Sequence, residues 1–282
     1  MRTRDAATAE RASAEAWSAG ASGCEERELE RGGIWLLVYA PETTAAAVRH
    51  RLVEALAGGA VIGPIEPVGD EDWSETWRAG LGPVEISPRL VIRPPFAPFP
   101  LGPGQSEVVI DPGQAFGTGG HASTRLALEL VDALPAEALR GARVLDVGTG
   151  SGVLALAALR LGAAQAVGFD LDPLAAEAAA AAARANGLAE RARFFTGPVE
   201  AIAEHAAFDV VVANLLKNEL LPVVRAIALR ARPGAAILLS GLLEAERGEV
   251  EARLAVEGMR DAHARVLEDT TGDRWLGLFT RR

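Results

Sequence analysis

Apolar positions along the chain change period several times, and each change marks an element. IWLLVYA (Ile34–Ala40) is a strand-length apolar run. Pro41 and Thr43 then open a helix through Ala57, with Val48, Leu52, Val53 and Leu56 on its apolar side. AVIGPIEPV (Ala60–Val68) predicts a weaker strand, limited by its prolines. Val84–Ile92 reads as strands of a small sheet, and Pro94–Gly104 as a stiff connector. Beyond it the alternation is regular. VVID leads to a helix with Leu126, Leu130 and Leu134 inward, and Ser123 or Thr124 can cap it. Val144–Val147, the run ending on Asp170, Ala192–Gly197, Phe208–Leu216 and Ala235–Leu243 are strands separated by helical stretches. Asp261–Asp269 and Arg274–Arg281 pair as a terminal antiparallel hairpin. Such alternation predicts a mostly parallel sheet covered on both faces.

Domain organisation follows from the same pattern. Residues 1–33 read as a partly mobile leader with a short helix over Arg11–Ala19. Residues 34–93 read as a small α+β region, 94–104 as a linker, and 105–282 as an α/β domain of Rossmann-like type with the hairpin at its end. Trp73 and Trp77, four apart, share one helical face and suit either a packing plug or a substrate platform.

The chemistry concentrates in Arg143–Asp172, where a strand runs into Gly148, Gly150 and Gly152, then a helix, then a strand tipped by Asp170. Ligands of such units lie beyond the carboxyl ends of the strands. Glycine lets the backbone come close to a ligand, and a terminal carboxylate can accept hydrogen bonds from both hydroxyls of a ribose. A dinucleotide fingerprint requires a glycine where Val153 stands. The D-x-G-x-G-x-G pattern beginning at Asp146 instead resembles motif I of the class I S-adenosylmethionine-dependent methyltransferases. A second cluster is the loop Phe116–His121 ahead of the Leu126 helix, which suits both a capped helix behind a flexible loop and a binding loop.

Composition narrows the classes. The chain has 282 residues, 49% of them hydrophobic, so it can bury a substantial core. Its formal net charge of −10 argues against free nucleic acid as a direct partner and favours a basic protein, although acidity also serves solubility. With Cys24 as the one cysteine, neither an internal disulfide nor a cysteine-based metal site is expected. Neither a signal-peptide pattern nor a membrane-length apolar stretch is seen, so a cytoplasmic location is expected.

Taken together, EDWSETW, RLVIRPPF, DPGQAFGTGGHASTR, VLDVGTGSGVLALAA, GFDLDPLA, VVANLL and LLSGLL are similar to the PrmA-type methyltransferases of ribosomal protein L11, in matching order from about Ile34 onward. The resemblance implies S-adenosylmethionine as cofactor and N-methylation of lysines, and of the α-amine, in that ribosomal protein. It implies cofactor contacts at Thr124, Gly148, Asp170 and Asn214, with Asp146, Gly150 and Ser151 as further candidates from motif I. For Asp146 an alternative is orientation of the glycine turn; for Asn214, a strand-end cap. Asn214 is also the residue expected to orient the amine, while Phe116 and His121 close over the cofactor. His121 is expected to fix the loop by a hydrogen bond, with proton acceptance as the alternative.

Departures from the family pattern are local. The loop has Ala122 where the family carries proline. The family's N-terminal domain is a ferredoxin-like βαββαβ unit, and here Met1–Arg31 offers no convincing first strand. A shortened first half leaves open methylation of another protein or of a small amine; a cofactor-binding protein without catalysis is the alternative of a different class.

Overall fold

The computed structural model describes residues 2–3, 6–28, 34–56, 60–67, 81–112 and 120–282. The chain forms two compact units, Met1–Thr76 and Trp77–Arg282. Trp73, Trp77 and Phe116 lie outside the described residues.

In the first unit, β1 (Arg2–Thr3), α1 (Ala6–Ser18), β2 (Gly23–Glu28), β3 (Ile34–Tyr39), α2 (Glu42–Ala55) and β4 (Ala60–Val61) succeed one another. The sheet order is β2-β3-β1-β4, with every neighbouring pair antiparallel. This is the complete ferredoxin-like βαββαβ arrangement. The expected leader is therefore corrected: residues 1–33 contribute two strands and a helix. Leu36, Val48, Leu52 and Leu56 join Ala12 and Ala16 of α1 in one buried cluster. β1 escapes sequence reading because its two described residues show no alternation. Its strand character comes from partners on both sides, Trp35 and Ile34 on β3, Val61 and Ala60 on β4. The expected strand over Ala60–Val68 shrinks to Ala60–Val61, consistent with Pro64 and Pro67 beyond it.

The second unit begins with a three-stranded sheet, β5 (Val84–Ser87), β6 (Leu90–Arg93) and β7 (Ser106–Val109), in the order β5-β6-β7. The boundary expected at 94–104 is thus corrected. That proline-rich stretch connects β6 to β7, which pair in parallel within one unit. The Arg93 guanidinium braces the connection with two hydrogen bonds to Glu107, 2.6 and 3.0 Å, and holds the Glu107 carboxyl below its usual pKa.

α3 (Ala122–Asp132) and the short α4 (Ala136–Leu139) lead into the large sheet. Its elements are β8 (Arg143–Val147), α5 (Val153–Arg160), β9 (Gln165–Asp170), α6 (Pro173–Ala185), β10 (Ala192–Thr196), β11 (Phe208–Asn214), α7 (Lys217–Arg230), β12 (Ala231–Leu243), α8 (Arg247–Val256), β13 (Arg260–Glu268) and β14 (Arg274–Arg281). The strands lie in the order β10-β9-β8-β11-β12-β14-β13. The first five are parallel, and the β13–β14 hairpin adds the antiparallel end. This is the Rossmann-like α/β sheet with a terminal hairpin expected from the sequence.

Alternate side chains of each central strand face opposite layers. Val144, Val210, Val212, Ala236 and Leu238 pack with α3 and α5. Leu145, Val147, Val211, Ala213, Ile237 and Leu239 pack with α7 and α8. Both faces are buried, which is why these strands read as continuous apolar runs. The chain order reverses at β8, where β9 lies on one side and β11 on the other, and this opens a crevice beyond the carboxyl ends.

Candidate functional site

Gly148, Gly150 and Gly152 follow β8 with φ values of +67°, +52° and +80°. Three left-handed residues in one turn explain the glycines, since a side chain there costs about 1–2 kcal/mol per residue. Gly152 is the N-terminal cap of α5. Space matters as well at Gly148, where an added Cβ would fall 2.4 Å from Leu215 Cδ2.

Two carboxylates fix this turn. Asp170, at the tip of β9, accepts from the Gly150 amide at 3.0 Å through Oδ2 and from the Asp172 amide at 3.1 Å through Oδ1. Each oxygen retains a lone pair for a further donor. Asp146 is completely buried, and its Oδ2 accepts from Thr149 Oγ1 at 2.9 Å and from the Ala155 amide at 3.1 Å. It ties the turn to the first turn of α5 from beneath. Its Oδ2 orients the turn, and its Oδ1 is buried and unpartnered among the described residues.

Burial pushes the Asp146 carboxyl up to about 7, more than the hydrogen bonds from Thr149 and Ala155 lower it; the charge of Asp170 adds to the rise. An acid raised on folding keeps its proton in the native state between about pH 4 and 7, while the unfolded chain has released it. Its contribution to stability therefore falls as pH rises through that window. Asp146→Asn preserves an acceptor for Thr149 and Ala155 and removes the titration. Urea midpoints measured from pH 4.5 to 8 should favour the variant over wild type increasingly toward pH 8; a constant difference would contradict the assignment.

Asn214 closes β11, beside β8: the preceding pair is Ala213 with Val147, and Asn214 itself faces Ser240 of β12. Its Nδ2 donates to Thr124 Oγ1 at 3.2 Å. Thr124 is 1% exposed in the first turn of α3, so the amide is pinned by a buried hydroxyl. Asn214 Oδ1 is buried and unpartnered among the described residues. A buried acceptor without a donor costs about 1–3 kcal/mol, which a bound donor relieves. A strand-end cap leaves that oxygen unexplained.

The expected cap of α3 is corrected. His121 is the N-cap, its Nδ1 accepting from the Ser123 amide at 3.3 Å and lying 2.8 Å from Ser123 Oγ. Because the helix begins at Ala122, Ser123 and Thr124 turn inward. His121 thus fixes the start of α3; the loop residues 113–119 before it lie outside the described residues.

Two contributors are absent from the sequence reading, Ser240 and Gly241. Ser240 Oγ donates to the Ser123 carbonyl at 2.8 Å and locks β12 to α3. Gly241 has φ +83°, and a Cβ there would lie 2.6 Å from the Leu215 carbonyl oxygen. Its missing side chain lets the chain after Asn214 cross the end of β12. The available signal is the glycine inside the apolar run LLSGLL, since an isolated strand glycine marks a bulge or a close backbone approach.

The chain matches the family described as "Ribosomal protein L11 methyltransferase (PrmA)" over residues 8–275. It belongs to that family. A ribosomal protein L11 methyltransferase of Deinococcus radiodurans is 37% identical over 270 residues, covering 94% of this chain and 92% of the relative. One from Geobacter sulfurreducens is 42% identical over 228 residues, covering 80% and 72% respectively. Among solved structures, the ribosomal protein L11 methylase of Lactobacillus delbrueckii subsp. bulgaricus superposes with a TM-score of 0.62 at 28% identity, covering 71% of this chain and 98% of that one.

The chain is thus a methyltransferase, and S-adenosylmethionine is its methyl donor. The residues present fit that donor. A turn with glycine at every second position, a carboxylate with spare lone pairs and an unpartnered amide oxygen lie at one sheet switch point. Among the described residues no group of three or more His, Cys, Asp or Glu could hold a metal ion, and no helix is long and apolar enough to cross a membrane.

Proposed function

We infer that this methyltransferase transfers methyl groups to lysine side-chain amines, and to the α-amine, of ribosomal protein L11, in the cytoplasm. The observation that carries the reading is the buried, unpartnered Asn214 Oδ1, held by Thr124 at the edge of the glycine turn. S-adenosylmethionine, when bound, supplies an electrophilic methyl group on a sulfonium. The chain's own residues do the rest. Gly148 and Gly150 admit the cofactor against the backbone, and Asp170 receives its ribose hydroxyls. Asp146 keeps the turn in place from below. Asn214 Oδ1 accepts a hydrogen bond from the incoming neutral amine, which has released its extra proton to solvent, and aims its lone pair.

A strong base is unnecessary. Deprotonating a lysine of reference pKa near 10.4 at pH 7 costs roughly 4–5 kcal/mol. Desolvation in the crevice lowers that cost, and positioning can supply roughly 7–11 kcal/mol of acceleration. A net charge of −10 supports a basic protein partner over nucleic acid.

The βαββαβ unit removes the motive for a different target, since the first half missing from the sequence reading is present. Mass spectrometry of purified ribosomal protein L11, incubated with the enzyme and S-adenosylmethionine, should show methyl increments on lysine-containing peptides. Unmodified L11 beside a labelled protein elsewhere in a lysate would overturn the substrate assignment and leave the chemistry standing.

A further inference from the structure

The β13–β14 hairpin ends the large sheet, and only one end of it lies near the site. There Trp275, in β14, meets His121, the cap of α3, edge to face with ring centroids 4.7 Å apart. Arg281, six residues on, stands about 20 Å further along the strand. That far end carries a run of cations. Arg281 is paired with Arg260, Phe279 with His263, and Gly277 with Arg265. Phe279 packs against the cluster to which α3 contributes, and a Cβ on Gly277 would strike Leu126 of α3. Residues two apart on a strand, and their partners in register, share a face, so His263, Arg265 and Arg281 lie on the α3 side. His263 stacks on Phe279 with centroids 6.1 Å apart and planes at 18°, and Arg281 Cζ stands 5.4 Å from the centroid of the same ring.

Charge sets this end apart. Arg125, Arg247, Arg253 and Arg274 each bond a carboxylate. Among the described residues Arg260, His263, Arg265 and Arg281 pair with none, and all four are exposed. Arg281 Nη1 donates only to a carbonyl, that of Gly234, at 2.9 Å. Like charges directly opposite weaken a strand pair, yet Arg260 and Arg281 stand so. Asp261, the one acid within Arg260–Leu267, sits with φ +56° where the register breaks between Arg260 and His263. The net charge of −10 belongs to the whole chain, and this face does not share it.

Two features select the partner. Side chains on one face of a strand recur about every 7 Å, close to the step between phosphates of a single nucleic-acid strand, and a guanidinium matches a phosphate in charge and geometry. Beside the cations, the imidazole and guanidinium held on Phe279 present flat surfaces on which bases stack. An acidic protein segment would use the charges and leave those surfaces idle.

We propose that the far end of the hairpin binds single-stranded RNA, with Arg260, Arg265 and Arg281 on its phosphates and His263 under a base. The proposal extends the reading of ribosomal protein L11 as substrate. RNA held about 20 Å from the end of the hairpin that adjoins the site leaves the crevice open, so the enzyme would take L11 that is already joined to RNA as well as the free protein.

The test reads RNA binding directly. In fluorescence anisotropy, a labelled single strand of about 12 nucleotides should bind the full chain. Its affinity should fall about 20-fold between about 50 and 200 mM salt, as three phosphate contacts require. The triple variant Arg260→Gln/Arg265→Gln/Arg281→Gln should weaken binding at least about tenfold and flatten the salt slope, with kcat on free L11 unchanged. Arg51→Gln/Arg247→Gln/Arg253→Gln removes the same charge from arginines that already pair with carboxylates, and should bind as wild type does. A second measurement needs no variant. Photo-cross-linking of wild-type protein to thiouridine-containing RNA should place the adducts on peptides within residues 260–281.

Cross-links elsewhere, equal losses in the two triple variants, or displacement of the RNA by polyglutamate as readily as by unlabelled RNA would overturn the proposal. Failure of the functional reading looks different: L11 stays unmethylated although RNA still binds through the hairpin.

Discussion

Gly241→Ala should lower transfer by about 10²-fold and the thermal midpoint by about 10 °C. Two costs combine at this position. Its φ of +83° is unfavourable for any side chain, by about 1–2 kcal/mol. The new Cβ would also lie 2.6 Å from the Leu215 carbonyl oxygen and 2.8 Å from Leu215 C and N. These are backbone atoms that cannot rotate away, and overpacking of this kind costs about 1–3 kcal/mol. A total of about 3–4 kcal/mol in a domain of this size corresponds to a fall of about 10 °C. The functional loss is larger, because relief requires Leu215 to move and Asn214 is its neighbour in sequence. A misplacement of about 1 Å at a reacting centre can cost about 10²-fold.

Gly148→Ala provides the contrast. Its overlap is nominally tighter, 2.4 Å, but the atom met is the tip of the Leu215 side chain, which can swing aside. Gly148→Ala should retain most of its stability and lose cofactor affinity instead, because the Cβ narrows the approach to the turn. Calorimetric titration with S-adenosylmethionine beside thermal melts separates the two variants. Equal melting points for Gly241→Ala and wild type would refute the crossing described for Leu215.

The second large effect belongs to Asn214. Asn214→Ala should lower kcat by about 10²-fold, what a misplacement of about 1 Å of a reacting group costs, while the Kd for S-adenosylmethionine rises less. Thr124 acts through this residue. Thr124→Ser keeps the hydroxyl that receives Asn214 Nδ2 and should stay within about threefold of wild type, whereas Thr124→Val leaves the amide free to turn. The double variant Thr124→Val/Asn214→Ala should be no slower than Asn214→Ala alone, since residues acting as a unit do not add. Unchanged kcat in Asn214→Ala would remove the residue from the reaction. Additive losses would separate Thr124 from it.

Much of the second unit is legible in sequence because its elements are locally over-determined. β8, β9 and β11 are buried on both faces and read as unbroken apolar runs. The turn between β8 and α5 needs left-handed residues, and only glycine supplies them cheaply. Asp170 stands at the tip of its strand, and there it both fixes Gly150 and keeps lone pairs free. In the first unit, β3 and α2 follow from their patterns, whereas β1 does not. The unit boundary is also invisible locally, since a proline-rich stretch can join two strands of one sheet as readily as two domains.

By itself, then, the sequence determined the alternation of strands and helices and the glycine turn, because each depends on residues within one turn or one strand of each other, and it determined the family through short motifs in a matching order along the chain. Tertiary structure alone decided that Asp146 supports the turn from below, that Ser240 and Gly241 frame Asn214, and that Trp275 reaches the cap of α3. The contacts Thr124–Asn214, Ser123–Ser240 and His121–Trp275 join residues 90 to more than 150 positions apart, and they exist only through strand register and the packing of a helix across it.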